Sequence, residues 1–213
     1  MKRTIIFSLI LISIIMSLYC GPKTIKVMVP PRIDLKEHEV IGIIDFDCTN
    51  KGKLGALTTE RFMEAVREDQ GMVRIIKLGS KKEVLKAIGS QKFDAAAFKA
   101  IGEKYDVSTV FTGELVISDI RPDVTITFGL DMRVNADVDA TLAVEMLETV
   151  TGASVWNRSA SATENIGGVS LSGGRYFSFD ADDPDKAYGN LVNNLVVRTT
   201  GDYRVTWTRR RVE

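Results

Sequence analysis

The chain predicts an α/β fold, α+β sandwich-like, in which a mixed sheet is flanked by helices and long amphipathic β-strands fill the second half. Two patterns predict it. Between residues 40 and 120, apolar runs of strand length alternate with helical stretches in the order β-α-β-α-α-β. From Val124 to Met146 every even position is apolar and every odd one is polar or small, a period of two across 23 residues.

The elements follow in order. Residues 21–38 carry Pro22, Pro30 and Pro31 without a sustained period and read as an extended tether. A single domain is expected over residues 39–213. Val40 to Phe46 is an apolar run suited to a strand covered on both faces. A polar turn, Asp47 to Gly55, leads to a helix over Ala56–Glu68, and Met72–Leu78 is a second strand. Ser80 and Glu83 have capping-box spacing ahead of Val84, Leu85 and Ile88. Another helix is expected from Asp94 to Lys104, with Phe98 and Ile101 inward, and then a strand over Val107–Ile120.

The run from 124 to 146 is too long for a typical strand of about 5–6 residues. A hairpin with a three-residue loop at Asn135-Ala136-Asp137 keeps the parity, because such a loop returns the chain on the same face; one long bent strand would also keep it. Each hairpin arm would be long enough to cross a bilayer as β-structure, yet a sheet with one face on helices shows the same alternation. Residues 157–179 alternate poorly and are the second place for a hairpin extension. Asp183-Pro184 caps and opens a last helix through Val196, ended by Gly201, and Tyr203–Thr208 alternates as a final strand.

Composition excludes several functions. The chain has 213 residues, 28 basic against 28 acidic, with one histidine and two cysteines. Zero formal charge speaks against a nucleic-acid partner. His38, Cys20 and Cys48 are too few for the common zinc clusters, and only His38 could serve a histidine-dependent triad. No metal, cofactor or catalytic residue is expected, and the chain reads as a non-enzyme. Asp180, Asp182, Asp183 and Asp185 suggest a calcium loop, but Pro184 and Asp185 break its pattern and Leu191 stands where its last glutamate belongs. Cys48 lies beside Asp47, whose carboxylate disfavours a thiolate. Arg209-Arg210-Arg211 could meet lipid head groups, or serve as charges that keep a strand edge from pairing.

The N-terminus is the most specific signal. Lys2 and Arg3 precede a twelve-residue apolar run, Ile5–Met16, which is short for a transmembrane helix and reads as a secretory signal. Ser17-Leu18-Tyr19-Cys20 follows and resembles the cleavage box of bacterial lipoproteins, with Tyr19 where a small residue is usual. Cleavage after Tyr19 would leave Cys20 as the acylated first residue, with 26 basic against 28 acidic groups in the mature chain. No disulfide is then expected. Gly21 in place of Asp favours the outer membrane, facing the periplasm.

The anchor Cys20, the run Val40–Phe46, the stretch Ala100-Ile101-Gly102-Glu103-Lys104-Tyr105-Asp106 running into Val110–Leu115, and Val150-Thr151-Gly152 together resemble the curli-secretion-channel (CsgG-type) lipoprotein family. The resemblance covers most of residues 39–200. It implies a periplasmic α/β domain, protein partners in the envelope and a homo-oligomer, with curli assembly or secretion as the work of channel members. Relatives such as the penicillin-binding-protein activator lipoprotein keep the domain without a barrel. The segment from Asp47 to Gly55 lacks the longer aromatic-bearing loop of the channel members.

Substituting Cys20→Ser is expected to abolish incorporation of radioactive fatty acid into the protein in growing bacteria. Undiminished labelling would remove the anchor.

Overall fold

Among the described residues, an apolar five-residue stretch forms an interior strand of the sheet. Val40–Ile44 forms β2 and is buried at every position, because both of its faces are covered by helices. The computed structural model describes residues 24–49, 53–127, 131–167, 170–172, 176–178 and 184–211. These fall into two units. Residues 31–204 form the larger one, and residues 24–30 with 205–211 form the smaller.

In the larger unit, β2 lies parallel to both β4 (Arg74–Gly79) and β5 (Thr109–Thr127). A two-residue strand β3 (Asp47–Cys48) also pairs with β5. From β5 the sheet turns antiparallel through β6 (Asp131–Glu148) to β7 (Ser154–Gly167), giving the order β4-β2-β5-β6-β7. A short ladder joins β8 (Ser170–Ser172) to β9 (Tyr176–Ser178). The helices are α1 (Leu54–Glu68), α2 (Lys81–Ile88), α3 (Ala95–Tyr105) and α4 (Pro184–Thr199).

One face of the sheet packs on α1 and α4. Its centre is a chain of edge-to-face rings, Phe46–Phe62 and Phe62–Phe111 at 5.2 Å, extended by Trp156 and Tyr203 around Phe111. The other face is covered only at the parallel end, where Val84 of α2 and Phe98 and Ile101 of α3 meet Val40, Ile44, Val110 and Leu147. Helix ends behave as their sequences dictate. Ser80 and Glu83 form the reciprocal capping box, and the Asp94 side chain accepts from the Ala97 amide to start α3.

The resemblance motif has a packing cause. A Cβ at Gly102 would lie 2.7 Å from the Thr149 side chain, and Gly152 adopts φ +70° against the backbone of Ala95. Thr149 is buried, and its hydroxyl meets the carbonyls of Val107 and Ser108 at 2.8 and 2.9 Å, tying the end of α3 to the β6–β7 turn.

Several expectations change. The 124–146 run is not a hairpin turning at Asn135–Asp137. Those residues lie within β6 and pair with Arg121–Asp123, while Thr127 pairs with Asp131. The chain therefore reverses between Thr127 and Asp131, and residues 128–130 lie outside the described residues. Val138, Ala140, Leu142, Val144 and Met146 are buried in the helix-covered core, so this part of the alternation faces protein and not lipid. Residues 154–167 form a full strand despite their weak alternation, because small Ala160 and Ala162 sit beneath α4, where contacts between α4 and β7 are dense. In the stretch read as a tether, Thr24–Val29 is a strand and Leu35, in a short 3₁₀ turn, is buried in the main core. Gln70 holds this segment: its side chain accepts from the Leu35 amide and donates to the carbonyls of Ile33 and Tyr203.

The smaller unit is an antiparallel ribbon of β1 (Thr24–Val29) and β10 (Thr206–Arg211). The three arginines therefore belong to a paired strand.

Phe62 is fully buried between two rings, so Phe62→Ala should lower unfolding stability by about 3–5 kcal/mol. Urea denaturation followed by circular dichroism checks this.

Candidate functional site

The face of β5–β6–β7 opposite α4 is polar, and its chemistry comes from register. A bulge at Ser118 separates the pair Ile117–Ala140 from Asp119–Asp139. Before the bulge, odd residues of β5 face the main core; after it, odd residues face solvent. The switch delivers Asp119 and Arg121 to the outer face. There Arg121 grips Asp139 with two nitrogens, at 2.6 and 3.0 Å, and also reaches Asp119 at 2.7 Å. The Thr163 hydroxyl donates to Asp139 at 2.6 Å, and Ser118 donates to its backbone carbonyl at 3.2 Å. Neighbouring rungs are Asn165 to Asp137 and Thr141 with Ser161, each at 2.8 Å. The Arg121 hydrogen bonds, with a smaller contribution from Thr163, hold the Asp139 carboxyl below its ordinary range.

A second polar cluster lies where β7 meets the residues after α4. Asp202 accepts from Arg158 at 2.7 Å and from the Trp156 indole at 3.3 Å, with Arg32 at 3.6 Å. Its backbone carbonyl accepts from the amides of Arg32 and Ile33. Chiefly through the Arg158 bond, the Asp202 carboxyl is held below its ordinary value. Next to it, burial pushes the Tyr203 phenol well above its ordinary range.

The long edge of β7 is modified rather than bare: Arg198 of α4 donates to the Ser161 carbonyl at 2.7 Å. At the other end of the sheet, a groove of about 670 Å³ is lined by Glu39, Arg74, Lys99, Glu103 and Asp106 among others. It opens at the start of β2 and β5, whereas ligands of α/β sheets bind beyond the carboxyl ends of the strands. Beyond the carboxyl end of β2, ion pairs join Asp45 to Lys77 and Asp47 to Lys81.

Of the residues singled out by sequence, Cys20, Tyr19, Asp180, Asp182 and Asp183 lie outside the described residues. Cys48 is half-buried in β3 against the main core. His38 ends the 3₁₀ turn, and its carbonyl accepts from the Ser108 hydroxyl. Among the described residues, no group of three or more His, Cys, Asp or Glu could hold a metal ion. Among them also, no helix is long and apolar enough to cross a membrane. Arg121, Asp139 and Thr163 were not legible as a set. Asp139 belonged to the polar half of the alternation, but its partners depend on the bulge and on two strand registers.

No family model matches the sequence, and no curated protein matches it. Solved structures are similar at low identity. The PelC dodecamer from Paraburkholderia phytofirmans is 13% identical over 85% of this chain and 97% of that one, with a TM-score of 0.42. Lipoprotein GNA1162 from Neisseria meningitidis is 13% identical over 59% of this chain and 83% of its own, at 0.38. The LpoB C-terminal domain from Escherichia coli is 12% identical over 60% and 84% respectively, at 0.38. All three are distant likenesses.

Asp202 supplies a pH-dependent test. With its folded-state pKa depressed, its stabilisation is complete above the ordinary aspartate value of about 3.9 and is lost as pH falls through the folded value. Asp202→Asn should cost about 1–3 kcal/mol at neutral pH, and the gap from the parent should close under acid. Denaturation midpoints measured from pH 7 down to about pH 3 check this.

Proposed function

We propose that the chain is a lipid-anchored component of the bacterial envelope that acts by binding and assembly, in the manner of curli-secretion-type proteins. Cys20 carries the acyl anchor after cleavage behind Tyr19, and the folded part faces the periplasm from the outer membrane. The observation that carries the assembly reading is the β5–β6 arm. β7 accompanies β6 only as far as the pair Asn135–Gly167, whereas β5 and β6 continue together to Thr127 and Asp131. In that stretch apolar pairs, Val124–Val134 and Ile126–Met132, alternate with the polar pairs Thr125–Arg133 and Thr127–Asp131. A two-stranded ribbon is marginal by itself, so such an arm gains from a partner strand or surface.

Catalysis has little support in the same residues. On the outer sheet face, Arg121 is already paired with Asp119 and Asp139. A general acid or base needs a group whose proton is exchanged with a substrate.

One observation favours a second reading, a lipoprotein that docks on and activates a peptidoglycan synthase of the penicillin-binding type. The connection from β2 to α1 is short and stitched down, with the Thr49 amide donating to Leu115 and the Thr49 hydroxyl accepting from the Ile117 amide. That position offers no long arm for a pore.

Electron microscopy of the acylated protein extracted in detergent separates the two. Rings of subunits are expected for the assembly reading, and truncating 123–134 should disperse them to monomers. A monomer that binds and stimulates a purified penicillin-binding protein would overturn it in favour of activation.

A further inference from the structure

The ribbon of β1 and β10 joins three sequence features that lie far apart in the chain. Register pairs Thr24 with Arg211, Lys26 with Arg209 and Met28 with Trp207; the intervening pairs are Ile25–Arg210, Val27–Thr208 and Val29–Thr206. Cross-strand partners share a face, and faces alternate along a strand. One face of the ribbon therefore carries Met28, Trp207, Lys26, Arg209 and Arg211 together.

These side chains are open to solvent. Trp207 is 65% exposed, Met28 55% and Ile25 53%, and every residue from Thr206 to Arg211 is exposed. Exposing an indole to water is unfavourable, and in the larger unit Trp156 is buried by contrast. The twelve residues of the two strands hold one lysine and three arginines and no acid. Trp beside Met, with cations one pair further along, matches the interface of a bilayer, where an indole sits at head-group level and guanidinium groups meet phosphates.

Chain length supplies the remaining argument. Thr24 is four residues beyond Cys20, and four extended residues reach at most about 14 Å. An acyl chain on Cys20 would therefore hold β1, and β10 with it, within a few Debye lengths of the lipid surface. We infer that the β1–β10 ribbon docks on an anionic lipid surface, with Trp207 and Met28 at the head-group boundary and Lys26, Arg209 and Arg211 on phosphates. This inference rests on the anchor at Cys20 for its proximity, but not for its chemistry.

The test uses the mature protein as made by the cell, reconstituted into vesicles containing phosphatidylglycerol, with and without bromine on the acyl chains. Trp207 emission should be quenched by the brominated lipid, and Trp207→Phe should remove the quenched component while leaving the buried Trp156 emission. The double variant Arg209→Gln with Arg211→Gln should lose most of the quenching. Far-UV circular dichroism of each variant establishes that the fold is kept. Mass spectrometry of Cys20 and flotation with the vesicles report the anchor independently. An acylated, floating protein whose Trp207 stays unquenched and open to aqueous iodide would overturn the ribbon inference and leave the anchor standing. Quenching in a chain without the acyl group would leave the inference standing and overturn the anchor. Concentration-dependent shielding of Trp207 in the absence of lipid would assign the ribbon to a second copy of the chain and overturn the inference.

Discussion

The β5–β6 ladder is the constraint on which the rest of the larger unit depends. Its pairs run from Thr109–Glu148 to Thr127–Asp131, interrupted once at Ser118. On the inner side it lines up Phe111 with Met146 and Leu115 with Leu142, which meet the rings of Phe62 and Trp156 and the residues of α4. A register slip of one residue would send this whole row to water and bring Asp137, Asp139 and Glu145 under the helices. Burying those carboxylates without partners would cost more than the fold could bear, so the register is strongly fixed. The bulge solves a local problem within that constraint. It lets β5 keep an apolar side toward the core both before and after Ser118, through Ile117 and then Ile120, while turning Asp119 and Arg121 outward.

Closure of the same core depends on a few buried polar groups. Gln70, at the end of α1, gathers Ile33, Leu35 and Tyr203, which lie far apart in sequence. Asp202, one residue before Tyr203, gathers Arg32, Trp156 and Arg158. The two clusters therefore fasten the beginning and end of the larger unit to the same aromatic core. Thr149 does the equivalent work at the opposite end of the sheet, against Gly102. Hydrogen bonds of this buried kind contribute modestly when made and cost heavily when one partner is lost.

Local signals made much of this fold legible. The caps at Ser80 and Asp94 and the continuous apolar run of β2 depend on neighbours in sequence, and they lie close to where sequence reading puts them. Parity arithmetic left a hairpin with a three-residue loop and one long bent strand both open, and could not place the reversal. Positions 128–130 and 135–137 preserve the alternation equally, and Asn135-Ala136-Asp137 has the more turn-like composition. Pairing with β7 decides the matter, since it needs β6 to be straight through Asn135. β7 itself was obscure because Ala160 and Ala162 bury little area and contribute a weak pattern. The strand at Thr24–Val29 was hidden by the nearby prolines, and its partner is the far end of the chain. The resemblance glycines were legible as a motif, but their reason, close approach of Thr149 and Ala95, is tertiary.

The arrangement of charge also governs how the outer sheet face meets water. On the outer face of β5–β7, Arg121 answers Asp139 across the strand and Asp119 along it, while Thr163 and Asn165 donate across to Asp139 and Asp137. A face of this sort is well hydrated and resists indiscriminate sheet-to-sheet association. Arg198 adds a further restraint by occupying a carbonyl on the β7 edge. Beyond the pair Asn135–Gly167, β5 and β6 continue their alternation together to Thr127 and Asp131. A strand added alongside that stretch would have to match its register, since a slip of one residue exchanges the apolar and polar rows.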